Sequence, residues 1–145
     1  MNFGSYSYEL AMPFVKAEET LRLKAYKCPK GVWTIGWGHT DGVKEGDSCT
    51  KVQAEAWIRS DLQSAQTALA KYINVSVSES QFIALLSLAY NLGAQGVVDK
   101  CPKMLRALNA KDYDGAAEEF LDVTNGGLAG LVARRRREAD LMRKC

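Results

Sequence analysis

The sequence predicts a mainly helical α+β protein with one small antiparallel sheet near its N-terminus, and three observations carry that expectation. Apolar residues recur at steps of three and four over most of the chain beyond residue 50. Two capping signatures open such runs, and a glycine-rich stretch of a different character fills residues 21–40. At 145 residues the chain suits one domain. It is expected to span 1–145, with a small sheet lobe at about 20–50, a long connecting helix at about 50–72 and a helical lobe at about 73–145. An apolar share of 47% and a charged share of 25% fit a soluble globular protein, and no apolar stretch approaches the length of a membrane span.

The first helix is expected from about Tyr8 to Glu19, with Leu10, Phe14 and Val15 on its apolar face. Pro13 should start or kink it, because proline lacks an N–H and crowds the preceding turn. Cys28-Pro29-Lys30-Gly31 reads as a hairpin turn, with proline at the second position and glycine at the fourth. Thr34 to His39 would be the return strand, and Asp41-Gly42 a further turn. Glycines at 36 and 38 weaken that strand unless a backbone or ligand must approach closely.

Thr50 with Gln53 signals a helix start, and Ala54, Ile58, Leu62, Ala65, Leu69 and Tyr72 continue it as a long helix. Ser78 with Gln81 opens another through Phe82, Leu85, Leu86 and Ala89, ended by Gly93. Pro102 can open a helix at about 102–110. Others follow at about 114–122 and from Gly130 to Arg143.

Four cysteines, Cys28, Cys49, Cys101 and Cys145, are widely spaced and form no CxxC pair, so reduced thiols are expected and a zinc site is not. The N-terminus has no basic flank leading into an apolar core, so synthesis in the cytoplasm is expected. The net charge is only +2, yet residues 134–145 carry six basic side chains against Glu138 and Asp140. Arg134, Arg135, Arg136 and Arg137 are thus either a solvated helix face or a contact segment for an anionic envelope.

Glycosidic bond cleavage needs an acid to protonate the leaving oxygen and a second group to direct water or stabilise the transition state. Glu19 stands at the expected junction of helix and hairpin, with Cys28 after eight intervening residues and Thr34 after five more. If the hairpin folds back on the helix end, all three face one cleft. The segment from Glu19 to Tyr26, with Gly31-Val32-Trp33-Thr34-Ile35-Gly36-Trp37-Gly38-His39-Thr40, resembles the active-site segment of phage-type lysozymes, glycoside hydrolase family 24. Ala89-Tyr90-Asn91-Leu92-Gly93, Asn125-Gly126-Gly127 and Gly130 to Arg136 resemble its helical-lobe motifs. The chain departs from the family in carrying Glu18 and Thr20 on either side of Glu19, where an aromatic residue and a glycine are usual.

The resemblance implies a lysozyme-like fold and an endolysin that hydrolyses the bond between N-acetylmuramic acid and N-acetylglucosamine in bacterial peptidoglycan. Glu19 would be the acid, Cys28 a base or charge stabiliser with a lowered pKa, and Thr34 the holder of the attacking water. Read from its residue type alone, Cys28 could equally be a small buried hydrophobe or half of a disulfide, and Thr34 a strand residue. Tyr26 and Trp37 could stack on sugars or fill the core, while Asn91 and Asn125 could bind substrate or shape turns. His39, the one histidine, has no ligand set around it, and a structural hydrogen bond in the hairpin is expected; no metal or cofactor is expected.

An enzyme of this kind would collect in the host cytoplasm, reach the periplasmic wall after a holin-type partner opens the membrane, and act as a monomer without nucleic acid. Two alternatives stand beside it. A lytic transglycosylase would cut the same bond with one glutamate, and a non-catalytic module would attach to envelope or nucleic acid through the basic C-terminal helix.

Overall fold

The computed structural model describes residues 1–28, 30–124 and 127–144. Seven helices and a two-stranded antiparallel sheet occupy them, the mainly helical α+β architecture expected.

The chain enters through single turns of 3-10 helix at Phe3–Ser5 and Tyr8–Ala11, the second capped by the Ser7 hydroxyl, which accepts from the Glu9 N–H at 3.2 Å. Helix α1 is shorter than the sequence suggests, Met12–Glu19, because Pro13 sits in its first turn, where a missing N–H costs nothing. It stops at Thr20, whose φ of +48° lies in the left-handed region that favours glycine. A threonine thus makes the turn at the position where the resemblance implies a glycine.

Strands β1 (Arg22–Lys27) and β2 (Trp33–Gly36) pair with Tyr26 opposite Thr34 and Lys27 opposite Trp33. The tight turn is closed by the Gly31 N–H donating to the Cys28 carbonyl at 2.8 Å. Strand β2 does not run on to His39 as expected. Gly36 and Gly38 both take positive φ, and Ile35 and His39 exchange hydrogen bonds across the loop between them at 2.8 and 2.9 Å.

Helix α2 (Lys51–Ala70) opens with a complete Thr50–Gln53 capping box and buries Ala54, Ile58, Leu62, Gln66 and Leu69. Gln66 is a polar member of that stripe, satisfied by donating to the carbonyls of Phe3 and Tyr6 at 3.2 and 2.7 Å. Helix α3 (Glu79–Leu92) opens with the Ser78–Gln81 box and is the central element, packed by α2, α4 (Ala94–Lys100) and α7 (Ala129–Met142). The core gathers around its Phe82, Leu85, Leu86 and Leu88 side chains. Burying one such side chain contributes about 1.5–3 kcal/mol. Helices α5 (Pro102–Asn109) and α6 (Tyr113–Phe120) complete the set, the latter capped by Asp112. Among the described residues no single helix is long and apolar enough to cross a membrane.

Candidate active site

The end of α1 is clamped onto α7 by two ion pairs. Glu18 makes a bidentate pair with Arg137, both contacts at 2.6 Å, and Glu19 pairs with Arg134. The two arginines are three residues apart, one helical turn, so adjacent glutamates meet the same face of α7. Glu19 is held with its side chain only 14% exposed.

Arg134 and Arg135 are buried, which corrects their expected place in a surface envelope-contact segment. Both belong to a charged network around Glu138, whose side chain is 0% exposed, as is that of Arg135. Glu138 accepts from the Ser87 hydroxyl, from Arg134 Nε at 3.3 Å and from Arg135. Arg135 also donates to the Val123 carbonyl at 2.9 Å and to the Asn91 side-chain oxygen. Burial alone would favour a neutral Arg134, but Glu19 and Glu138 outweigh it and hold the proton more tightly than usual. Of the four arginines, Arg136 and Arg137 are exposed, and Arg137 is engaged by Glu18.

Glu19 faces a cavity of about 190 Å³ lined also by Tyr26, Cys28, Lys30, Thr34, Gly38, Thr40, Tyr90, Asn91, Leu128 and Leu131. The hairpin thus carries Cys28 and Thr34 to the same hollow as the helix-end carboxyl. Gly38 presses its backbone against Glu19: a Cβ there would stand 2.5 Å from Glu19 Oε1 and 3.4 Å from Tyr90 Cε1. The close approach that glycines 36 and 38 suggested is, at 38, an approach to the acid itself. Tyr90 closes the far wall, donating its hydroxyl to the Trp37 carbonyl.

Burial pushes the Cys28 thiol up, but backbone hydrogen bonds from Val32 and Lys30, a hydrogen bond from the Thr34 side chain and the Lys30 charge together bring it below its ordinary value. Thr34 is buried, and its hydroxyl also reaches the Val32 carbonyl at 3.0 Å. With one proton to donate, that hydroxyl serves Val32 or a thiolate in turn. Tyr26 is raised by burial and then by the Glu19 charge, with Arg22 opposing and Cys28 adding. A second cavity of about 310 Å³ adjoins the first across Gly38, Thr40 and Tyr90, and His39 and Asp61 line it.

Of the two roles left open for Trp37, sugar contact or core, the structure favours the core. Its ring belongs to the core, with the Lys16 ammonium 4.4 Å from its centroid, because the two flanking glycines turn the chain and swing it inward. Asn91 does line the cavity, while Asn125 lies outside the described residues. His39 has a structural setting, although its partner is on α2 and not in the hairpin: Nδ1 lies 2.7 Å from Asp61 Oδ2, and the ring stacks on Trp57 at 4.5 Å. Cys28, Cys49 and Cys101 are free thiols. From the sequence, no functional role is assigned to Tyr90 or Glu138. The four-residue spacing of Arg134 and Glu138 was the available signal that the arginine run is not uniformly solvated.

Residues 16–138 match the phage lysozyme family. An endolysin of Acyrthosiphon pisum secondary endosymbiont phage 1 is 38% identical over 140 residues, covering 92% of this chain and 94% of that protein. Among solved structures, the endolysin from Escherichia coli O157:H7 phage FAHEc1 superposes with a TM-score of 0.81 at 31% identity, covering 96% of this chain and 94% of the other. The muramidase domain of SpmX from Asticaccaulis excentricus gives 0.78 at 32%, covering 96% and 95%. With a glutamate, a thiol and a hydroxyl gathered in one cleft and likeness over nearly its whole length, the chain belongs to the phage lysozyme family.

Proposed function

We propose that this chain is a muramidase-type endolysin, a glycoside hydrolase of bacterial peptidoglycan, in which Glu19 protonates the oxygen bridging N-acetylmuramic acid and N-acetylglucosamine. The observation that carries the reading is the shared cavity, where a largely buried carboxyl meets a thiol of lowered pKa and a buried hydroxyl. Water positioned by Thr34 loses a proton to the Cys28 thiolate as its oxygen attacks the anomeric carbon, and Glu19 gives its proton to the departing oxygen. Solvent then returns a proton from Cys28 to Glu19. Attack from the face opposite the leaving group inverts the anomeric centre.

Tyr26 and Asn91 would contact the sugars, and the glycan would extend past Gly38 and Tyr90 into the neighbouring cavity. Arg136 is what remains of the proposed envelope contact. In this reading the sheet lobe and the helical lobe, joined by α2, would hold the glycan between them. Synthesis in the host cytoplasm, access to the wall through a holin-type partner and action as a monomer are part of this proposal, which takes the relatives' name, endolysin, as its starting point. Digestion of purified peptidoglycan followed by mass spectrometry tests the chemistry. Fragments with reducing ends are expected; 1,6-anhydromuramic ends would replace hydrolysis with transglycosylation, and intact strands would remove the activity altogether.

A further inference from the structure

Arg134 meets Glu19 with one corner of its guanidinium, Nη1, and spends the other two on buried groups behind it. Nε donates to Glu138 at 3.3 Å, and Nη2 donates to the carbonyl and hydroxyl oxygens of Ser87, both at 3.2 Å. The Ser87 hydroxyl in turn donates to Glu138. A planar fork held at two corners has its third corner aimed, and here the aim is at Glu19. Glu138 itself cannot touch substrate, since its side chain is 0% exposed. Replacing a whole buried ion network with apolar side chains is often neutral or stabilising, so stability alone is a weak account of these charges.

Arg135 adds a second positive charge, held by the Val123 carbonyl and by Asn91. Burial pushes Arg135 below its ordinary value, with Glu138 opposing and Arg134 adding. The other titratable groups lining the cavity of Glu19, among the described residues, are Tyr26 on β1, Cys28 and Lys30 at the hairpin turn and Tyr90 on α3. Glu18, beside it on α1, is engaged by Arg137. Around Glu138 stand Arg134, Arg135, Arg137 and, at the end of α4, the Cys101 thiol. An uncompensated guanidinium would favour the ionised carboxylate, which serves a proton donor poorly. Glu138 is the carboxylate that compensates Arg134 from behind.

Resting on the muramidase reading above, we propose that Glu138 is a positioning residue for the reaction: it aims Arg134 at Glu19 and shares the guanidinium's charge, so that the acid is fixed in place while the pull on its proton is moderated. Arg134 and Glu138 lie four residues apart on α7, so one face of one helix carries both the clamp and its counterweight.

The test follows the Glu19 carboxyl itself by carbon NMR through a pH titration, its resonance assigned by its absence from Glu19→Gln. Glu138→Gln removes a like charge from the far side of the same guanidinium, so the Glu19 midpoint should fall by about one pH unit. The kcat of this variant relative to wild type should then drop about tenfold more at neutral than at acid pH, as the protonated fraction shrinks. Arg135→Gln removes a positive charge and leaves Glu138 to Arg134, so the midpoint should rise. Ser87→Ala takes a neutral contact from the same network and should leave the midpoint in place. A purely structural role would lower the melting temperature of all three variants and move no midpoint. A midpoint unmoved in folded Glu138→Gln, or moved equally by Ser87→Ala, would overturn the positioning role. Should Glu138→Gln not fold, Arg135→Gln decides: a rise supports the role, and an unmoved or lowered midpoint overturns it. Failure of the wild type to cut peptidoglycan would instead remove the parent reading, whichever way the midpoints move.

Discussion

Replacing Gly38 with alanine tests the geometry around Glu19 with one methyl group. The new Cβ would meet Glu19 Oε1 at 2.5 Å and Glu19 Cδ at 3.1 Å, where comfortable heavy-atom contacts lie at about 3.5 Å. Relief requires the carboxyl to retreat by about 1 Å, away from a position fixed on its other oxygen by Arg134. Misplacing a catalytic group by that distance lowers turnover on the order of 100-fold. The φ of +83° at this position adds backbone strain of about 1–2 kcal/mol. Because the clash falls on the movable end of a side chain, the fold should survive with a melting temperature lower by several degrees. Gly46→Ala is the matched control: its φ is +86° and nothing lies within 4 Å of the added Cβ. It should carry similar strain and keep normal turnover. Release of reducing ends from purified peptidoglycan gives kcat, and circular dichroism gives the melting temperature. If Gly38→Ala turned over within about threefold of Gly46→Ala, the packing of Gly38 against the acid would have no bearing on the chemistry.

The thiols should differ in reactivity in a way that separates the site from the core. Cys28 lies below its ordinary pKa, so at a given pH more of it is thiolate, and its alkylation rate should level off at lower pH than that of Cys49, which burial raises. Cys101, pushed up to about 11 by burial, should be inert near neutrality. Peptide mapping after iodoacetamide treatment at neutral pH should find Cys28 labelled first, with activity lost in parallel; full activity after complete Cys28 labelling would contradict its role. Glu138→Leu leaves two buried arginines without their shared partner and should destabilise the fold by about 3–5 kcal/mol in urea titrations. A loss under about 1 kcal/mol would show that the network contributes little. Arg137→Ala removes a pair whose arginine is 53% exposed, and its cost in the same titration should stay near 1 kcal/mol or below.

The helical part of the fold is legible because its signals are local. Thr50 with Gln53 and Ser78 with Gln81 each form the reciprocal hydrogen bonds their spacing implies, and the apolar stripe from Ala54 to Leu69 is the buried face of α2. Helix α4 escapes such reading, since Gly93 ends one helix and borders the next at a single residue, and a seven-residue helix has too few turns to show a period. The triad spacing of Glu19, Cys28 and Thr34 is visible in the sequence, but its convergence depends on the turn at Thr20 and on Gly38, which are tertiary matters. Trp37 and the arginine run are ambiguous in the sequence for one reason. Residue type suggests a sugar platform or a charged surface, while the side chain's direction is set by the glycines around Trp37 and by the buried partners Glu138 and Glu19.

Glu19→Gln tests the central claim most directly, because it keeps the size of the side chain and removes only the transferable proton. A general acid of this kind contributes about 10²–10⁴-fold to rate. The variant should therefore fold normally, as judged by its circular dichroism spectrum, and leave no clearing in a peptidoglycan gel overlay. A folded Glu19→Gln protein that clears the gel as the parent does would contradict the assignment of Glu19 as the proton donor.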